Sequence, residues 1–195
     1  MTGSPTKKQL THQRMLDAAG RSFRSNGFAG IGVDGIAKAA GVTSGAFYAH
    51  FGSKNGAFDA ALKAGLDEVI AAIPVFRRDH GKKWVAAFTD YYLGRPHRED
   101  LTAGCAMTTL SPEVVRANAK VHTAYEEGMT KIVALVGDGL AGDTLEQRHA
   151  RAWVMLSTLI GGLTIARAVE SDTLAGEIAA SVKLAAVTAA GDVAQ

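Results

Sequence analysis

The 195-residue sequence has one cysteine, four prolines and two tryptophans, and it lacks any long uncharged run. The single thiol, Cys105, excludes an internal disulfide. The opening Met-Thr-Gly-Ser-Pro-Thr-Lys-Lys lacks the apolar core of a secretory signal, so a reducing, cytoplasmic setting is expected. The longest stretch without a charge, Ala152 to Ala166, has 15 residues against the ~20 that span a bilayer, and reads as a buried helix with no membrane partner. Alternating strand patterns are missing as well, which leaves an all-α chain.

Catalytic signatures are equally scarce. There is no Gly-x-Ser-x-Gly elbow, no His-Glu-x-x-His and no phosphate-binding loop, so no enzyme activity and no cofactor are expected. Gly30-x-Gly32-x-x-Gly35 matches a dinucleotide fingerprint by letter, but a helical pattern precedes it and no alternation of strands and helices follows. Glu146-Gln-Arg-His149 has the spacing of two ligands on one helix face, yet a dimetal bundle needs a second copy and further carboxylates. No metal site is expected.

Net charge is only +2, but its distribution is uneven. Residues 1–60 carry Lys7, Lys8, Arg14, Arg21, Arg24, Lys38 and Lys54 against Asp17, Asp34 and Asp59, an excess of +4. The remaining 14 basic and 16 acidic residues leave −2. A cationic amino-terminal end suits a polyanionic partner.

Within that end, residues 27–54 hold two short helical patterns separated by Gly41 and Val42, the signature of a helix-turn-helix. The first pattern buries Ile36, Ala37 and Ala40. Gly41 permits the turn, and Val42 plugs the corner. Thr43 or Ser44 caps the second pattern, whose Phe47 and Phe51 share an inner face. The opposite face, with Gly45, Ala46, Tyr48 and Ala49 and His50 at its edge, is slim enough for a major groove. Double-stranded DNA is the expected partner.

These residues carry a resemblance to a family. Met15, Leu16, Ala18, Ala19, Phe23, Gly27 and Phe28, then Ile36-Ala37, Ala40-Gly41-Val42, Gly45, Phe47-Tyr48, His50-Phe51, Ser53-Lys54 and Phe58 resemble the amino-terminal domain of the tetracycline-repressor (TetR) family of bacterial transcriptional regulators. The match covers about a quarter of the chain. Gly32 departs from it where the family usually opens the second helix with Ser or Thr, and Gly56 departs where an acid often completes a cap.

The resemblance implies a three-helix DNA-binding domain over residues 1–54 and a larger helical ligand-binding and dimerisation domain over 55–195. By position in the motif, Thr43, Ser44, Tyr48 and Lys54 would hold phosphates. The second helix offers no Arg, Asn or Gln for a bidentate base contact, so Gly45 and Ala46 are left to meet base edges, His50 to reach a base or a phosphate, and shape to carry much of the readout, with Lys7, Lys8 or Lys38 assisting from outside that helix.

The rest of the chain reads as helices over 6–25, 53–79 with a kink at Pro74, 82–93, 105–110, from the Ser111-Pro112-Glu113 start signal to 136, 144–169 behind an Asp143/Glu146 capping box, and 172–190, with a loop over 94–100. Trp84, Phe88, Tyr91, Tyr92, Met107, His122, Tyr125 and Trp153 form a loose set of aromatic and polar-tipped groups. In this family such groups would line a small-molecule cavity. Cys105 joins them as a packed thiol or as the reactive group of a redox or electrophile sensor, the alternative to a ligand-released repressor. The family also implies a homodimer through the last two helices, with Met155, Leu156, Leu159, Gly162 and Leu163 on one and Ile178 and Val182 on the other. A third possibility is a helical protein whose helix-turn-helix serves protein contacts.

Overall fold

The computed structural model describes residues 6–102 and 104–193; the first five, part of the segment read as lacking a signal core, lie outside them. Among the described residues ten α-helices follow one another, with no strand beyond an isolated bridge between Leu140 and Val193.

Helix α1 (Lys7–Asn26) starts in a capping box: Thr6 N–H donates to Gln9 Oε1 at 2.7 Å, and Gln9 N–H donates to Thr6 Oγ1. Its apolar stripe buries Met15, Ala18, Ala19 and Phe23. Helices α2 (Val33–Ala39) and α3 (Ser44–Phe51) pack on it through Ile36, Ala37 and Phe47. Gly41 sits at φ +65° in the turn between them, a conformation that a side chain would strain. Helix α4 (Lys54–His80) then leaves this unit as one unbroken rod. Its first turns complete the amino-terminal core, where the Phe58 ring stands edge-on to Phe23 at 5.3 Å and to Phe28 at 5.4 Å. Pro74 removes one N–H donor near the outer end without breaking the helix.

A single 3-10 turn, Gly81–Lys83, leads to α5 (Trp84–Tyr92), then α6 (Arg95–Glu99), α7 (Ala106–Val114), α8 (Ala119–Gly137), α9 (Leu145–Ala168) and α10 (Asp172–Ala190). Helix α8 lies along α4, and the short link between α9 and α10 makes them antiparallel neighbours.

Three local expectations are corrected. The segment expected as a loop holds α6, because Gly94 in extended conformation and Pro96 in the first turn together start a helix. Ser111-Pro112 starts nothing: the Ser111 hydroxyl donates back to the Met107 carbonyl inside α7, and the next start is Asn118, whose side chain accepts from Val121 N–H at 3.2 Å. The cap of α9 is Thr144, paired with Gln147, one residue later than expected.

Candidate functional site

At the amino-terminal end, α3 stands outward on a support of α1 and α2. Thr43 caps it, its hydroxyl oxygen accepting from Ala46 N–H at 3.2 Å. Gly45 and Ala49 are exposed, Ala46 is half-buried, and Tyr48 is 52% exposed beside the wholly buried Phe47. This slim face with its capped start carries N–H groups that can meet phosphate oxygens. Lys38 is exposed in the last turn of α2.

Besides Thr43, three more of the expected contact residues have partners inside the chain. The Ser44 hydroxyl donates to Asp34 at 2.5 Å, tying α3 to the start of α2. His50 is half-buried with its Nδ1 3.2 Å from His12 Nδ1, which fixes α3 to α1 and turns the imidazole away from the outer face. The Lys54 ammonium lies 4.5 Å from the centre of the Phe28 ring, so part of its charge is already met by an aromatic face.

The two glycine departures separate. Gly32 begins α2 with no side-chain cap and open space around it, so a hydroxyl would fit. At Gly56 any side chain would drive into the Phe51 carbonyl across the α3–α4 turn, so an acid is excluded there by contact.

The larger helical body holds a small, partly open pocket of about 80 Å³ between α4, α5, α6 and the start of α7. Four expected residues meet there: Phe88, Tyr91, Tyr92 and Cys105. Sequence reasoning missed the other walls, notably Glu68, Val69, His97 and Gly104. His97 is buried, stacked on Tyr92 and edge-on to Tyr91 at 4.5 Å, and burial lowers its pKa so that it is neutral near pH 7. The Tyr92 hydroxyl shares a hydrogen bond with Thr108 at 2.7 Å, and burial pushes its pKa well up.

The other five expected lining residues lie elsewhere. Trp84 is core, its indole N–H donating to the Gly139 carbonyl, and Met107 is fully enclosed. Tyr125 is hydrogen-bonded to Ser111 at 2.7 Å. His122 and Trp153 are exposed and do not line the pocket.

Cys105 caps α7 at the cavity wall, where burial raises its thiol pKa more than Tyr92 and the helix-start N–H groups of Met107 and Thr108 lower it. The thiol form therefore dominates at neutral pH. Reaction with a maleimide at pH 7 is expected to run slower than with free cysteine and to accelerate above pH 9. A rate equal to that of free cysteine at pH 7 would contradict this placement.

The apolar stripe expected to meet a second chain packs inward in this chain. Met155, Leu156, Leu159 and Leu163 are wholly buried within their own chain, and Gly162 gives close approach to Val182 of α10, with Ile178 half-buried beside it. The outward face is a different one: Trp153, Val154 and Ile165 of α9 with Leu174 and Leu184 of α10. Helix α10 is long and apolar enough by composition to cross a membrane, and only 22% of it is buried.

Residues 15–61 match the family model for bacterial regulatory proteins, tetR family. No curated protein matches the sequence. Among solved structures, a TetR-family transcriptional regulator from Cytophaga hutchinsonii superposes with a TM-score of 0.76 at 17% identity, covering 99% of this chain and 100% of its own. One from Agrobacterium tumefaciens gives 0.76 at 16% identity, covering 91% and 98%. The reduced form of NemR from E. coli gives 0.71 at 21% identity, covering 94% and 98%. At these identities the structures establish the shared fold, while the family match falls on the capped helix-turn-helix itself. The amino-terminal end of the chain is therefore similar to the DNA-binding domain of bacterial regulatory proteins of the tetR family, and it stands on an all-helical body whose fold those solved structures share.

Proposed function

We propose that two copies of this chain form a repressor that holds a near-palindromic operator and is released by a small molecule in the cavity between α4, α5 and α6. The observation that carries this reading is a direct tie between the two ends of the switch. Arg24, in the last turn of α1, donates through Nη1 to the Thr102 carbonyl at 3.2 Å and pairs with Glu68 at 3.4 Å. Glu68 lines the cavity, and Thr102 lies two residues before Gly104 in its wall. At about 80 Å³ the cavity is far below the ~300–1,000 Å³ of typical small-molecule sites, so an occupant must part its walls. The wall that yields is the one α1 holds, and α1 carries α3 through the His12–His50 contact.

The amino-terminal unit is placed at residues 1–54, with the ligand and dimer unit over 55–195 and the first turns of α4 shared between them. Pro74 lies beyond the cavity from the DNA end, since the cavity touches α4 at residues 65–72, so it is outside this path. A ligand that prefers the parted form lowers operator affinity by its differential binding to the two forms. Replacing Arg24 with Gln leaves operator binding in place and removes release by the inducer. Normal release in a binding titration would take Arg24 out of the switch.

The second copy is placed on the outward face of α9 and α10. Trp153, Val154 and Ile165 of α9 and Leu174 and Leu184 of α10 are exposed apolar side chains, and α10 is left mostly uncovered by its own chain. A twofold axis there sets two α3 helices toward successive half-sites.

In this arrangement Thr43, Ser44, Tyr48, Lys38 and Lys54 grip phosphates, and Gly45 and Ala46 meet base edges. Lys54→Ala should weaken binding to all sequences nearly alike and flatten the slope of log affinity against log salt by about 0.9 per site. Loss of affinity for one sequence alone would reassign Lys54 to base reading. The raised Cys105 pKa favours the ligand-released reading over a thiol sensor.

A further inference from the structure

We propose a second binding site, specific for an oxyanion, in the hollow between α6 and the α9–α10 corner. The hollow has a volume of about 260 Å³ and is lined by Arg95, Arg98 and Arg167 together with Glu99 and Asp172. Both acids face Arg95: Glu99 pairs with it one helical turn away, and Asp172 lies 4.0 Å from it. Three arginines against two acids leave the lining with one positive charge in excess, carried on the side of Arg98 and Arg167.

Arg167, in the last turn of α9, is held in an unusual way. Its Nε donates to the His97 carbonyl at 2.8 Å and its Nη2 donates to the same oxygen, while Nη1 is buried without a partner. Burial lowers the pKa of this guanidinium, and Asp100, Tyr92 and Cys105 counteract that electrostatically. A guanidinium has five N–H donors in a planar fork shaped for two oxygens of a carboxylate or phosphate, and a lone carbonyl uses that fork poorly. Turning the fork from His97 into the hollow gives Nη1 an anionic acceptor beside Arg98.

This movement has a consequence on the other side. The His97 ring lines the aromatic cavity while its carbonyl holds Arg167, and the Gly104 backbone presses so closely on the Arg167 guanidinium that a Cβ there would collide with it. An anion that draws Arg167 away frees His97 and Gly104 together, two walls of the cavity. The hollow therefore acts on the cavity without being part of it.

The test is calorimetric titration of the purified full-length chain with inorganic phosphate and, separately, with benzoate, at constant ionic strength, alongside thermal unfolding. Saturable binding of one anion per chain is expected, weakened at least tenfold in Arg167→Gln and measurably in Arg98→Gln, whose half-buried position makes it the safer variant for folding. Binding of phosphate but not benzoate assigns a phosphoryl ligand, and the reverse assigns a carboxylic acid. No saturable binding of either, or equal binding by wild type and by a folded Arg98→Gln, overturns the site. Operator retardation run on the same samples reports separately on the repressor reading, which stands or falls without this hollow.

Discussion

Ile165→Glu combined with Leu184→Glu is expected to leave a 20.3 kDa monomer in place of the proposed dimer and to lower affinity for a palindromic operator by about 10²- to 10⁴-fold. The effect is large because nothing at the DNA face has changed. Each α3 keeps its cap and its phosphate contacts, but the second half-site is no longer presented at the high effective concentration that tethering provides. Both side chains are outward, Ile165 at 57% and Leu184 at 70% exposed, so a carboxylate at either is solvated in the monomer and costs little folding stability. Buried between two chains, four such carboxylates would be unpaired and strongly unfavourable. Sedimentation velocity reads the assembly, and gel retardation reads the affinity. A double variant that still sediments as a dimer would place the interface elsewhere.

Phe47→Ala is expected to cost about 3–5 kcal/mol in the amino-terminal unit and to abolish operator binding at 37 °C. Phe47 is wholly buried under α3, with its ring 5.2 Å from Phe51 and 5.9 Å from Tyr48. Its removal leaves a cavity under a helix of eight residues, too short to hold itself together without that packing. A loss of that size is comparable to the whole stability of a small domain. The larger body does not rest on Phe47, so the variant should remain dimeric and mostly helical. Thermal unfolding followed by circular dichroism should show an early, small transition ahead of an unchanged main one. Full operator affinity in this variant would mean that α3 is not the element that enters DNA.

The parts that were legible in the sequence are those fixed within a few residues. Gly41 with its positive φ, the Thr43 cap and the Phe47–Phe51 pair all act inside one short segment, and each was readable from spacing. The start of α10 at Asp172 was readable for the same reason, with Ser171 capping it.

What escaped depends on contacts across the chain. Helix α9 is apolar on two faces, and periodicity alone does not say which face its own chain covers: Met155, Leu156 and Leu159 are buried in it, while Trp153, Val154 and Ile165 are exposed. His97 carries no local pattern, and its role comes from Arg167, 70 residues away. Ser111-Pro112 shows the reverse failure, a strong local start signal overridden when the serine hydroxyl bonded to the Met107 carbonyl and met Tyr125. Of the aromatic set, the α5 residues Phe88, Tyr91 and Tyr92 reach the cavity, because one short helix presents them together, while His122 and Trp153 are turned outward by theirs.

The central claim is that α3 enters a DNA duplex in duplicate. Retardation of short genomic fragments by the purified chain, repeated from dilute buffer to 200 mM salt, tests it most directly. The account predicts a small set of fragments sharing a near-palindrome, retarded by two or a multiple of two chains per site, with affinity falling steeply as salt rises. Failure to retard any fragment even in dilute buffer, or retardation that ignores salt, would contradict it.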